Sequence, residues 1–408
     1  MLRRAPTAPR PMPTRGAAPR RPLSRLGAAP LAASAALMAA FLTGGPALAS
    51  PSQDGLGRII ADPPARIEVA FVLDTTGSMS GLIEGAKKKI WSIANNMMDL
   101  EPRPEVRFAL IGYRDRGDTY VTKRFDLTED VQSIYGELLA FRAGGGGDNP
   151  ESVNQALAEA VTDLSWSQDR AVFRAVFLVG DAPPHMDYQD DTPYPVTLET
   201  AEDKDILVNA IQAGDQRGTT RIWREIAQLG GGAYAQIAQD GAMAFAPSPY
   251  DAEIEKLNIE LNDTVVPYGR AADQARVAEN VGRAKGVAGS AAAEMNSYFA
   301  KQSVASARKV ISGGGDLVED VANGAVALDE VKQEKLPAEM RGLSAEERDA
   351  YVAERAARRA SIRASLDDLL AKRDAHVADT RAAAAETDAF DAEVDRMIRA
   401  QAATKGFK

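Results

Sequence analysis

The sequence predicts an α/β fold, a doubly wound and mostly parallel sheet over residues 66–246, followed by an α-helical carboxyl-terminal region. Three observations lead there. From Arg66 to about Ala238, apolar β-branched runs alternate with amphipathic stretches, the pattern of strands covered on both faces. Two of those runs close abruptly on a carboxylate, Asp74 and Asp181, and the carboxyl ends of strands are where open sheets bind ligands. Beyond Pro247-Ser248-Pro249 the alternation gives way to Ala- and charge-rich helical sequence.

Taken in order, the periodicity predicts strand Ile67–Leu73, helix Gly81–Met98, strand Val106–Tyr113, strand Tyr120–Phe125, helix Val131–Phe141, helix Glu151–Leu164 and strand Arg174–Val179. Strands Leu207–Gln212 and Ala233–Ala238 follow, around helix Thr219–Leu229. The short turn from Arg114 to Thr119 permits a hairpin, so the third strand is expected to be antiparallel at the sheet edge. Its Arg116-Gly117-Asp118 tripeptide reads as a turn. Residues 182–191, acidic and rich in Pro, are expected at the rim, as a specificity loop or a plain connection.

Residues 247–342 read as a helical connecting region, with Leu257, Leu261 and Val265 at helical spacing and a break at Ser312–Gly315. Residues 343–408 read as a tail. A capping box, Ser344 to Glu347, opens a helix that runs to about Ala385. Tyr351, Ile362, Leu366, Leu369, Leu370 and Val377 give it a thin apolar stripe, and a last helix with Phe390, Val394 and Ile398 is expected to fold against it as a hairpin. A coiled-coil dimer, a stalk, a docking arm and a helical hairpin that merely covers the domain all remain open for this tail.

The first strand delivers Asp74-Thr75-Thr76-Gly77-Ser78, in which Asp74, Thr76 and Ser78 alternate and one tight loop can aim their oxygens at one point. Hard cations take such ligands. A glycine run, Gly144–Gly147, then leads into Asp148-Asn149-Pro150-Glu151, and the later strand ends in Gly180-Asp181. In order and spacing these segments resemble the three loops of the metal-ion-dependent adhesion site of von Willebrand factor type A domains. The resemblance implies a Rossmann-like sheet of strand order 3-2-1-4-5-6. It implies Mg²⁺, with Ca²⁺ or Mn²⁺ as alternatives, bound by the hydroxyls of Thr76 and Ser78 and by Asp74 and Asp181 directly or through water. A protein partner's Asp or Glu would close the shell.

The second loop departs from the family, having no Thr, and Asp148 is the nearest residue able to serve as a ligand. With Asp148 in the shell the ion would be more fully neutralised and Ca²⁺ would compete better. The alternative is a flexible turn in which Asp148 only caps the next helix.

Residues 1–49 carry seven Arg and no acid, then a small-residue apolar run and Ala47-Leu48-Ala49, as a signal peptide does, with residues 50–65 as a linker. An uncleaved anchor is the alternative, the apolar run being at the short limit for spanning. Cleavage would take the net charge from −10 to −17, which argues against nucleic acid and anionic membrane as partners and leaves no stable membrane insertion. The expected location is periplasmic or secreted, whether by the general route or, from Arg20-Arg21, the twin-arginine route. The chain has no Cys and only two His, His185 and His376, which removes disulfides and a histidine-rich zinc site.

Two function classes follow. In the first, the chain is a non-catalytic, metal-dependent binding module of the bacterial envelope, with oligomerisation through the tail as an option. A variant has a purely structural metal and a partner bound by the tail. In the second, Asp74 is the nucleophile of a haloacid-dehalogenase-like phosphoryl-transfer enzyme. That reading needs an acid where Thr76 stands and an activating Lys, and Lys123, on a strand expected at the far edge, is the only Lys between Lys89 and Asp181. The expectation is therefore that the chain is not an enzyme.

Overall fold

The structure, a computed structural model, describes residues 65–147, 149–240, 247–301, 314–383 and 390–408. The expected signal peptide, the linker up to residue 64 and the candidate ligand Asp148 lie outside them. The described residues fall in one compact unit, 62–408.

Six strands, β1 (Arg66–Asp74), β2 (Glu105–Tyr113), β3 (Thr122–Thr128), β4 (Phe173–Gly180), β5 (Leu207–Ala213) and β6 (Gly231–Ile237), form one sheet in the order β3-β2-β1-β4-β5-β6. All neighbours are parallel except β2 and β3, which run antiparallel at the edge. That is the order and the edge the resemblance implies.

The period of two explains the double winding. On β1, Ile67, Val69, Phe71 and Leu73 enter one apolar layer and Ala70 and Val72 the other, so both faces need a cover. Helices α3 (Val153–Thr162), α4 (Tyr194–Asp203) and α5 (Arg217–Leu229) cover the second face, with Trp223 fully buried. Helices α1 (Ser80–Met97) and α2 (Val131–Ala140) cover the first. Helix α4 falls in a stretch to which the periodicity assigned no element; it begins behind Pro193 with Pro195 in its first turn, where the missing N–H costs nothing.

The first face needs more cover than α1 and α2 supply, and the end of the chain provides it. Helix α11 (Phe390–Ala402) packs on α1 and the β6 edge of the sheet, placing Phe390, Val394, Met397 and Ile398 in the same layer as Phe71. The Phe71 and Phe390 rings lie 6.3 Å apart, and Lys89 pairs with Asp391 at 3.0 Å in a buried setting. The expected hairpin is thus replaced by docking on the sheet: Phe390 and its neighbours find a wider apolar surface there than the thin stripe offers.

Between them, α6 (Asp251–Asn262), α7 (Ala271–Lys285), α8 (Gly289–Lys301) and α9 (Leu317–Ala322) form a helical layer crossed by α10 (Ala345–Ala383), which starts at the expected capping box. Ile362, Leu366 and Leu370 of α10 are buried with Ile254 and Leu261, so the stripe considered as a coiled-coil seam is used inside the chain. Buried Arg359 joins Asp316 and Glu319, and buried Arg373 joins Asp251 and Glu294, which locks the long helix in register. No helix among the described residues is long and apolar enough to cross a membrane.

Candidate metal centre

Asp74 ends β1, and Asp181 follows β4, its parallel neighbour. Here the winding of the sheet reverses, so the loops part and leave a crevice of about 280 Å³. Thr76, Ser78, Gly146, Glu151, Asp181 and Gln239 are among the residues that line it, and no Lys or Arg among the described residues does.

The first loop is rigid by construction. Thr75 turns its hydroxyl and its N–H to the carbonyl of Tyr113, both at 2.8 Å, pinning the loop to the end of β2. This leaves Asp74, Thr76 and Ser78 on the crevice side. Asp74 Oδ1 accepts from the Thr76 N–H at 2.8 Å and from its hydroxyl at 2.6 Å, and the Thr76 and Ser78 hydroxyls are 3.3 Å apart. A single 3-10 turn, Gly77–Met79, then leads into α1, so the positive end of that helix faces the crevice.

Two glycines permit the close approach. A side chain on Gly180 would overlap the hydroxyl of Tyr113 and crowd Asp74. Gly146 has a left-handed φ of 77°, and a Cβ there would stand 3.1 Å from Thr76 Cβ and 3.3 Å from Glu151 Oε1. The glycine run is a held segment rather than a flexible turn. Gly144 donates to the Thr75 carbonyl, Gly77 donates to the Gly145 carbonyl, and Gly146 donates to Asp118. Asp118 and Arg116 of the Arg-Gly-Asp tripeptide are engaged in the rim, Arg116 with Asp190 and Asp191. The cap of the following helix is Ser152, and that helix starts later than expected, at Val153.

The electrostatics are lopsided. Asp74 is fully buried; its Oδ2 has no hydrogen-bond partner, and burial pushes its carboxyl up to about 7 despite the two bonds from Thr76, with the charge of Asp181 adding to the rise. Glu151, 3% exposed, likewise carries a buried oxygen without a partner, and burial together with Asp74, Asp115, Asp118 and Asp181 raises it to about 9. The phenol of Tyr113 beneath them is pushed well up by burial and the same carboxylates and stays protonated. Asp181 Oδ2 accepts from the Gln239 amide at 2.7 Å.

Buried carboxylate oxygens without partners, beside two hydroxyls, fit a hard divalent cation, which would supply the missing positive charge. Among the described residues no three carboxylate or imidazole groups stand close enough to hold an ion by themselves. An ion placed here would need the hydroxyls of Thr76 and Ser78 as further donors. The structure brings Asp74, Thr76, Ser78 and Asp181 to one crevice, and it adds Glu151, which the sequence reading used only to open a helix. Its signal was present as a carboxylate where the glycine loop returns to the sheet, but the clamp that aims it comes from residues 183–185, remote in sequence. His185 is turned away, stacked on Tyr188 at 4.1 Å and bonded to Asp187. Lys123, the lysine considered for the phosphoryl-transfer reading, sits on β3 with its ammonium 4.4 Å from the Tyr120 ring centre, outside the crevice lining.

Residues 68–246 match the profile of the von Willebrand factor A domain. Over 119 residues the chain is 34% identical to von Willebrand factor A domain-containing protein 7 of Rattus norvegicus, a match that covers 29% of this chain and 13% of that protein. Among solved structures, similarity is found to proximal thread matrix protein 1 from the mussel byssus with a zinc-occupied MIDAS motif (16% identity, 43% of each chain, TM-score 0.35). The SpRpn10 VWA domain is also similar (12% identity, 43% of this chain and 89% of that one, TM-score 0.33).

Proposed function

We propose that this chain, which carries a von Willebrand factor A domain, is a non-catalytic protein-binding module of the bacterial cell envelope that grips its partner through a divalent cation. Domains of this kind commonly mediate metal-dependent protein interaction. The observation that carries the reading is Asp74: a fully buried carboxylate with one oxygen left unpaired at a crevice lined by two hydroxyls and a second Asp. An isolated buried carboxylate costs several kcal/mol unless a positive charge compensates it.

Thr76, Ser78, Asp74 and Asp181 would hold Mg²⁺, with Ca²⁺ or Mn²⁺ as alternatives, Asp148 being a further candidate donor. The ion supplies an electrophilic point at which an Asp or Glu of the partner completes the shell. This chain's residues do the rest. Thr75 and Tyr113 fix the loop, Gln239 orients Asp181, and the amino end of α1 adds about 0.3–1 kcal/mol for an arriving anion.

Calorimetric titration of Mg²⁺, Ca²⁺ and Mn²⁺ into metal-stripped protein tests this. The expected result is saturable one-site binding that Asp74→Ala abolishes. Absence of binding by the parent protein, or equal binding by the variant, refutes the reading.

A further inference from the structure

We propose that Glu151 belongs to the cation's shell and sets its ion preference, making this a site with three carboxylates around two hydroxyls. The inference rests on the metal-dependent reading above and concerns a residue that reading does not need.

Four observations converge on Glu151. It lines the crevice with Thr76, Ser78 and Asp181 yet is 3% exposed, and its Oε2 has no hydrogen-bond partner. Its backbone is clamped on both sides: its N–H donates to the Pro183 carbonyl at 2.9 Å and its carbonyl accepts from the His185 N–H at 3.0 Å. The two segments form an isolated parallel bridge, Glu151 with Pro184, so the side chain is aimed by fixed backbone rather than by a mobile loop. Finally, Gly146 is the cradle. The absent Cβ lets the Thr76 side chain and Glu151 Oε1 approach across the loop, and any larger residue would stand between them.

Glu151 is a buried acid near Asp74, Asp115, Asp118 and Asp181, in a crevice that no Lys or Arg among the described residues lines, and a cation would compensate its charge. The carboxylates are spaced too widely to enclose an ion alone, so Glu151 acts from the flank of the two hydroxyls, directly or through one water. A third carboxylate changes the chemistry of the site in two ways. It favours Ca²⁺, which tolerates six to eight oxygens and bidentate carboxylates, over Mg²⁺, which demands a small octahedron. It also leaves the ion and its three acids with one net negative charge, which loosens the hold on a partner's carboxylate.

The test compares the full chain with Glu151→Gln and Glu151→Asp. Ca²⁺ and Mg²⁺ affinities are measured by calorimetry, and the waters left on bound Mn²⁺ are counted by relaxation. Glu151→Gln is expected to lose at least about tenfold in Ca²⁺ affinity and less in Mg²⁺ affinity, so the preference between the ions narrows. Glu151→Asp should keep part of the affinity. If Glu151 binds directly, Mn²⁺ gains a water in the Gln variant; if it acts through water, the count holds while the affinity still falls. Thermal melting of the metal-free variants separates misfolding from lost ligation, because removing an uncompensated buried acid should raise their melting temperature. Parent and Glu151→Gln proteins that bind both ions alike, while Asp74→Ala binds neither, would overturn the role of Glu151 and leave the proposed function standing. A parent protein that binds no ion overturns both.

Discussion

Asp74 sits where a carboxylate is least comfortable, and the discomfort has a sign. Its folded pKa of about 7 lies above the ordinary 3.8, so between those values the unfolded chain has released a proton that the folded chain keeps. The stability of metal-free protein should therefore fall as pH rises from about 4 to 7, and Glu151, raised to about 9 from 4.5, continues the fall into the alkaline range. For Asp74 the span is on the order of 2–4 kcal/mol. Melting temperature against pH in a chelator checks this, and saturating Ca²⁺ should flatten the slope, because an ion stabilises the ionised forms. Asp74→Asn is expected to melt higher than the parent in chelator and to gain nothing from metal. At this scale Asp74, Thr76, Ser78 and Asp181 were legible as candidates in sequence, because strand ends and alternating hydroxyls are local signals. Glu151 was not, because its aim is set by backbone bonds to residues 183 and 185. Asp148 falls outside the described residues.

Among the elements, the central strands were legible because burial on both faces leaves near-continuous apolar runs; β1, β2, β4 and β5 lie within a residue of their expected ends. The edge strand β3 begins two residues late and ends three residues late, because only Leu127 on it is buried and its exposed Lys123, Arg124 and Asp126 leave little apolar signal to mark its ends. The close contact between β4 and β1 depends on Gly180. Gly180→Ala should destabilise the protein by about 1–3 kcal/mol through overpacking against Tyr113 and Asp74 and weaken metal binding in the same variant, both read from denaturant titration with and without Ca²⁺. On the helical layer, Arg373 reaches buried Asp251 at 3.3 Å and Glu294 at 2.8 Å. Arg373→Ala strands two buried acids and should cost about 3–5 kcal/mol, whereas the exposed Lys372→Ala next to it should change stability by less than about 0.5 kcal/mol.

For the molecule as a whole, sequence separation and spatial separation do not agree. The sheet of residues 66–237 takes part of its apolar cover from residues 390–407, with Phe390, Val394, Met397, Ile398 and Phe407 in the core layer of Phe71. Periodicity identified the last helix but not its destination, since an apolar stripe says that a face is buried and not against what. Ending the chain before residue 390 should expose that layer and give an aggregating or molten product. Phe390→Ala alone should cost about 3–5 kcal/mol. In chain order α10 and its buried arginines come between the sheet and the sheet's last cover, so the crevice and the helical region are expected to belong to one cooperative unit. A single unfolding transition, reported alike by Trp91 under the helical layer and Trp223 under the other face, is the expected signature.

The central claim is that a cation is held in the crevice between β1 and β4. An anomalous-difference map from crystals of the protein soaked in Mn²⁺ tests it most directly. The account predicts one strong peak within coordinating distance of Thr76 and Ser78, flanked by Asp74 and Asp181. A map without a peak there at saturating Mn²⁺, or with its strongest peak elsewhere on the acidic surface, would contradict it.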